Sequence, residues 1–242
     1  MTNDKPLAGR LALITGASRG IGRAVAVGFA KAGAHVILMA RTVGALEEID
    51  DEIQAAGGKA TLLALDLAKH DKLDALGPSI LQRWGKLDIL VANAGVLGPL
   101  SPLGHITTEA WREVIDVNLT ANWHLVRALD PLLKLSDAGR AIFVSSGAAL
   151  ARNAYWGPYS VSKAGLEALA KTWAHELADT PVRVNIINPG PIRTTMRAKA
   201  FPGEKPETLK TPDEIVPLFV KLASPAWTET GQIHDFKTGA VR

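Results

Sequence analysis

Residues 11–40 read LALITGASRGIGRAVAVGFAKAGAHVILMA. Leu11 to Thr15 is a short apolar run, and it ends in a turn with glycines at Gly16, Gly20 and Gly22. From Arg23 to Ala34 the apolar residues recur at helical spacing, and residues 35–40, HVILMA, form a second apolar run. Strand, glycine-rich turn, helix and strand in this order make a βαβ unit. The glycines let the backbone turn sharply and approach a ligand closely. The helix start behind them offers unpaired N–H groups and a positive dipole end to a phosphate. Between a strand and a helix, such a turn points to a dinucleotide site.

The pattern repeats along the chain. Residues 42–58 read as a helix closed by glycine, and KATLLALDL (59–67) reads as a third strand running through Asp66 and Leu67. Residues 69–85 are helical in character, and LDILVANAG (87–95) is a fourth strand ending in Asn93, Ala94 and Gly95. A long helical pattern spans 108–135, contains Asn118 and is expected to kink or end near Pro131. RAIFVSS (140–146), VRVNIINPG (182–190) and GQIHDFKTG (231–239) are three further strands. Helices are expected from Tyr159 and over 212–224, and residues 191–212, rich in Pro, Gly, Lys and Thr, read as a mobile loop or lid. Strands alternating with helices predict an α/β fold: one Rossmann-like domain over 1–242, a doubly wound parallel sheet with helices on both faces. Ligands of such sheets bind at the carboxyl ends of the strands, where the glycine turn, Ala40, Arg41, Asp66, Asn93, Ser146 and Asn188 to Gly190 all fall. Each also has a purely structural reading: Asp66 as a helix cap, Asn93 as a turn residue, Ser146 as a strand-end hydrogen bonder.

Composition narrows the function classes. The 242 residues carry 27 Lys and Arg against 24 Asp and Glu, for a net charge of +3. The excess is spread along the chain without a basic run, so no nucleic-acid partner is expected. There is no cysteine, which excludes disulfides, thiolate metal sites and cysteine nucleophiles. No metal site is expected. The N-terminal residues lack a signal-type apolar core, and no apolar run approaches the roughly 18 residues needed to span a bilayer. A cytoplasmic protein without membrane contact is expected.

The chemistry is concentrated in residues 146–163, SGAALARNAYWGPYSVSK. Ser146 is followed by Tyr159 and then by Lys163 at the start of an amphipathic helix. Residues four apart share a helix face, which brings the ammonium toward the phenol. A free phenol, with a pKa of about 10, is a poor acid or base at neutral pH, and a nearby cation lowers that value. Lowering it by roughly three units takes about 4 kcal/mol, more than one solvated lysine supplies. A buried site with a cationic cofactor or helix N-terminus could supply it, and the spacing suggests acid–base chemistry on a hydroxyl or carbonyl. Tyr155, the only other tyrosine, has no lysine four residues on.

Taken together, TGASRGIG, Asp66-Leu67, ANAG, Asn118, VSS, YSVSK and NPGPIRT resemble the short-chain dehydrogenase/reductase family in order and approximate spacing, from about Leu11 to Gly239. The C-terminal half resembles a bacterial subgroup of uncharacterised short-chain oxidoreductases. The resemblance implies Tyr159 as catalytic acid/base and Lys163 as the residue that lowers its pKa and holds the nicotinamide ribose. It implies Ser146 as the group polarising the substrate carbonyl, and Asn118 as the holder of a water on the proton path. For the cofactor it implies Gly16, Ser18, Arg19, Gly20, Ile21 and Gly22 at the phosphates. Asp66 and Leu67 are implied at the adenine, and Asn93, Ala94 and Gly95 beside the ribose. Pro189, Gly190, Ile192 and Thr194 are implied around the carboxamide. Ser145 is one residue too far from Tyr159 to match, and strand alternation turns it to the other face. Two departures stand out: Ala92 replaces a frequent asparagine, and the end HDFKTGAVR lacks a common Asp-Gly-Gly.

Cofactor choice is read from the end of the second strand. An acid there serves the adenosine ribose hydroxyls in NAD enzymes. Here Ala40 leaves room for a 2′-phosphate and Arg41 offers it a fork of donors, with Arg19 as a second cation. NADP(H) is therefore expected over NAD(H). The structural alternative has Arg41 as a solvated charge and Arg19 capping the turn. The expected activity is hydride transfer between NADP(H) and a small-molecule carbonyl or alcohol. The rival is a non-catalytic nucleotide-binding sensor or scaffold on the same fold. The substrate pocket is expected between residues 96–100, residues 148–156 and the loop after Gly190, with Trp156 and Tyr155 as an apolar or aromatic wall and Arg152 either meeting an anionic substrate or, as preferred, standing as a solvated charge. The helices carrying Asn118 and Tyr159 are apolar on more than one side, which predicts a homo-oligomer, a tetramer or dimer.

Overall fold

The computed structural model describes residues 5–242. Its strands are β1 (Leu11–Thr15), β2 (His35–Ala40), β3 (Lys59–Ala64), β4 (Ile89–Ala92), β5 (Arg140–Val144), β6 (Arg183–Asn188) and β7 (Ile233–Asp235). They form one sheet in the order β3-β2-β1-β4-β5-β6-β7, with every pairing parallel. The order reverses between β1 and β4, and that switch point is where such a sheet opens a crevice for a ligand.

The helices between the strands are α1 (Gly20–Lys31), α2 (Val43–Ala55), α3 (His70–Asp74), α4 (Leu76–Trp84), α5 (Thr108–Ile115), α6 (Ala121–Lys134), α7 (Ala148–Ala151), α8 (Gly157–Glu176), α9 (Thr195–Ala200) and α10 (Pro212–Ala223). The central strands β1 and β4 are apolar or nearly so and buried along their length because both faces are covered, whereas the edge strand β3 is only partly buried. Leu13, Leu90, Phe143 and Ile186 enter one core, with Leu125 and Leu129 of α6 and Leu166 and Trp173 of α8. Ile14, Val91, Ile142 and Ile187 enter the other, with Val25 and Phe29 of α1 and Ile215 and Phe219 of α10. Alternate residues of one strand thus feed two cores, as its two-residue period requires.

Four expectations need correction. The helix over 69–85 is two helices, broken at Ala75. The third strand stops at Ala64, so Asp66 lies in the turn beyond it, accepting a bond from the Ala68 N–H at 3.1 Å. Helix α6 continues through Pro131 to Lys134, because the ring sits exposed while Leu129, Leu132 and Leu133 anchor the opposite side. The interruption comes earlier, as a π-helical segment over Asp116–Thr120 around Asn118. The stretch 191–212 is built rather than bare: it carries α9, a 3₁₀ turn at Pro206–Thr208 and an isolated bridge between Ile192 and Lys210.

Candidate active site

The carboxyl ends of the strands open into a cleft of about 810 Å³. At one end Gly16, with φ +65, and Gly20, with φ +57, carry the chain from β1 into α1 through backbone angles that suit glycine. A methyl group on Gly22 would overlap the Gly16 carbonyl oxygen and the Asn93 amide. Gly22 is therefore buried in the contact of α1 with the turn and does not line the cleft. Asn93 fastens the turn to β4: its side chain donates to the Thr15 carbonyl at 2.9 Å, and its N–H donates to the Thr15 hydroxyl at 3.0 Å.

This end is suited to a dinucleotide. Helix α1 starts without a side-chain cap or an acid in its first turn, so its positive end faces the cleft unneutralised. Ser18, Arg19, Gly20 and Ile21 line the cleft there, with Ala40, Arg41, Asp66 and Leu67 beside them. Arg19 and Arg41 are exposed and form no ion pair among the described residues. Two free guanidiniums and no carboxylate at the end of β2 match a ribose carrying an extra phosphate.

At the other end stand Ser146, Tyr159 and Lys163, with Asn93, Ala94 and Gly95 across from them and Pro189, Gly190, Ile192 and Thr194 beside. Helix α8 begins at Gly157, so Tyr159 and Lys163 lie in its first two turns, facing the sheet; they are only 7% and 3% exposed. Lys163 Nζ donates to the Val144 carbonyl at 2.7 Å and lies 5.9 Å from the Tyr159 ring centre. Burial holds this ammonium down at about 8. Burial also pushes the Tyr159 phenol up, while a Ser146 hydrogen bond works against it. In this arrangement burial prevails, and the phenol sits above its ordinary value rather than below it. The cause is enclosure: the phenol is almost wholly buried, and the Ser146 bond offsets only part of that. The Ser146 oxygen also accepts from the Ala148 N–H at 3.2 Å, which fixes the hydroxyl beside the phenol.

Asn118 is fully buried behind the cleft and does not line it. Its Oδ1 accepts from the Val96 N–H at 2.8 Å, and its Nδ2 donates to the Val96 carbonyl at 2.9 Å and to Ser162 at 3.0 Å. The Ser162 hydroxyl in turn donates to the Tyr159 carbonyl at 2.8 Å. Asn118 thus joins the exit of β4 to the first turn of α8, two contacts that the sequence pattern did not reveal. Ser145 turns away as expected and donates to Glu167 at 2.7 Å. Of the wall expected over 148–156, only Trp156 reaches the cleft; Tyr155 points outward, 59% exposed. Met196 and Phe201 of the α9 segment complete the wall instead. The departing C-terminal residues fold back against β7, with Val241 opposite His234, and Asp235 of β7 accepts from Asn188 Nδ2 at 2.7 Å. Ala92 sits in the core at the end of β4.

Among the described residues no group of three His, Cys, Asp or Glu could hold a metal ion, and no helix is long and apolar enough to cross a membrane. The sequence model for short chain dehydrogenases matches residues 10–205. An uncharacterised oxidoreductase, YciK, of Escherichia coli K12 is 38% identical over 234 residues, spanning 95% of this chain and 92% of that protein. A short chain dehydrogenase structure from Shigella flexneri 2a, complexed with NADP, is 38% identical with a TM-score of 0.92, covering 96% of this chain and 99% of the other. Another from E. coli CFT073, complexed with NADPH, is 38% identical with a TM-score of 0.91, covering 96% and 98%. With the parallel sheet, the glycine turn and the Ser146, Tyr159 and Lys163 cluster, these matches lead to one conclusion: the chain belongs to the short-chain dehydrogenase/reductase family of NAD(P)-dependent oxidoreductases.

Proposed function

We propose that this chain is an NADP(H)-dependent enzyme interconverting a small-molecule carbonyl and its alcohol, with Tyr159 as the acid/base. The observation that carries the reading is the buried Tyr159 phenol, held protonated and beside Ser146 in the same cleft as Arg19 and Arg41, which form no ion pair among the described residues. When bound, the nicotinamide supplies or accepts the hydride at the substrate carbon.

In reduction the phenol is the proton donor, so a phenol kept neutral by burial is the competent resting form. The Ser146 hydroxyl, whose oxygen already accepts from Ala148, donates to the substrate oxygen and stabilises its developing charge. Lys163 holds its ammonium against the Val144 carbonyl, from where it favours the phenolate that remains after proton transfer. Asn118 acts by positioning, since its amide holds Val96 and Ser162 in register with Tyr159. That it also holds a water on the proton path is a proposal resting on family resemblance.

Gly16, Ser18, Gly20 and Ile21 would hold the pyrophosphate at the start of α1, with Gly22 keeping the helix close. Arg19 and Arg41 would hold the 2′-phosphate. Asp66, Leu67 and Asn93 to Gly95 would flank the adenosine, and Pro189, Gly190, Ile192 and Thr194 the nicotinamide end. The NADP and NADPH in the two Enterobacteria structures support the choice of dinucleotide. We further propose a cytoplasmic homo-oligomer, dimer or tetramer, using the faces on α5, α6 and α8 where Trp111, Trp123 and Val161 are exposed.

The test is a fluorescence titration of both cofactors at low salt, followed by a screen of diverse carbonyls. NADPH should bind tighter than NADH by about 1.5–3 kcal/mol, the range for hydrogen bonds to a charged group, and by less as salt screens these exposed arginines. Equal affinity, or no NADPH-dependent turnover of any carbonyl, refutes the reading.

A further inference from the structure

Tyr155 is an exposed aromatic residue in the left-handed region, with φ +71. A bulky side chain adopts that backbone only at a cost, and such strain persists where the surroundings impose it. Here the Tyr155 carbonyl accepts from the Ser101 N–H at 3.0 Å, which ties the loop after β4 to the segment before α8. The next residue, Trp156, is turned into the cleft. Its ring packs edge-on to Tyr159 at 5.9 Å and against Phe201 at 5.6 Å between centroids. Phe201 comes from the end of α9 and is itself braced, because the Arg197 guanidinium lies 3.7 Å over its ring. Arg197 is fixed in turn by two bonds to Glu204, at 2.6 and 2.7 Å.

The strained turn at Tyr155 and the Arg197–Glu204 ion pair therefore hold Trp156 against the reacting phenol and Phe201 against Trp156. The rest of this wall is apolar, with Leu97, Val117 and Met196. The guanidinium nearest to it is taken by Glu204, and the remaining charges, Glu113 and Lys199, are exposed at the rim. Among the described residues the polar groups of the cleft near the phenol include the hydroxyls of Ser146, Thr194 and Thr195, and no unpaired guanidinium stands there to fork with a carboxylate.

We infer that Trp156 and Phe201 are the specificity-determining residues, and that the substrate is an uncharged carbonyl compound with a flat, apolar group, such as an aryl ketone or aldehyde. The inference rests on the reductase reading above and adds its substrate class. Ring stacking and burial of apolar area would carry recognition.

Kinetics with NADPH on acetophenone and benzaldehyde, their para-carboxylates and dihydroxyacetone test the inference. A parallel readout is quenching of tryptophan fluorescence by acetophenone in the presence of NADP⁺. The wild type should favour the uncharged aryl compounds over both other classes by about tenfold or more in kcat/KM. Trp156→Ala and Phe201→Ala should each raise the aryl KM by about tenfold while leaving NADPH affinity unchanged. Acetophenone quenching should vanish in Trp156→Phe if that indole is the contact. A preference for the carboxylates or for dihydroxyacetone overturns the inference, as does an aryl KM unmoved in both alanine variants. Acetophenone binding that Trp156→Phe abolishes, without turnover of any carbonyl, upholds the aromatic wall and overturns the reductase reading. Absence of both binding and turnover overturns both.

Discussion

Replacing Lys163 by methionine should leave a pH signature in the stability of the fold. The lysine is buried on α8, and burial holds its pKa at about 8 against 10.5 for a solvated lysine. Below about pH 8 both folded and unfolded chains carry the proton, and the charged folded state bears a penalty of about 3 kcal/mol, converted from that difference. Between the two values the unfolded chain binds more protons than the folded one, so stability rises with pH. Above 10.5 both states are neutral and the penalty is gone. Lys163→Met keeps the apolar stem and removes the titration, together with the bond to the Val144 carbonyl, whose loss is nearly independent of pH. Urea unfolding of both proteins at about pH 7 and about pH 10 isolates the lysine, because most other groups cancel in the difference. From the linkage relation, wild type should gain about 2–3 kcal/mol on Lys163→Met over that interval. Parallel stabilities, or a wild type that loses ground as pH rises, would refute the assignment of a buried, desolvated ammonium. The same penalty is what a site holding a cation beside a reactive phenol costs the fold.

Three further outcomes follow from single contacts. Tyr155→Gly should stabilise the fold or leave it unchanged in thermal unfolding, because a left-handed residue without a Cβ gives up roughly 1 kcal/mol of strain against a similar entropic cost; a large loss would mean that the ring itself is a structural anchor. Gly22→Ala should cost more than about 2 kcal/mol and abolish NADPH binding, since the methyl overlaps the Gly16 carbonyl; near-native affinity would sink the close packing of α1 on the turn. Asp88 is fully buried at the opposite end of the sheet; burial raises its pKa, but bonds from Lys86, Ser136 and the Leu11 N–H outweigh that and bring it below 3.8. Its contribution is therefore present above 3.8 and lost as pH falls toward the lower folded value, and Asp88→Asn should abolish that part of the acid sensitivity while destabilising the protein at neutral pH.

The parts of this molecule that the sequence discloses are those set by local periodicity. Apolar runs bounded by glycine gave seven strands in order, and their alternation with helices implied a doubly wound parallel sheet. Tyr159 and Lys163 share a face because four residues nearly complete a helical turn. What was hidden depends on partners distant in sequence. The π segment around Asn118 leaves no compositional mark, and its purpose is visible only once Val96 and Ser162 are seen on the same amide. The break at Ala75 falls inside one continuous helical pattern. Phe201 read as part of a polar loop, and only tertiary packing brings it onto Trp156. The direction of the Tyr159 shift was also out of reach, because it turns on how deeply tertiary packing encloses the phenol.

The central claim is that the Tyr159 hydroxyl passes the proton in an NADPH-dependent carbonyl reduction, and Tyr159→Phe removes that one oxygen. Once the carbonyl screen has supplied a substrate, single-turnover oxidation of bound NADPH should be followed in wild type and in this variant, with NADPH affinity measured on both. The account predicts unchanged NADPH affinity and a chemical step slowed by about 10²–10⁴-fold, the usual worth of a positioned acid. A Tyr159→Phe enzyme that oxidises NADPH at the wild-type rate would contradict it.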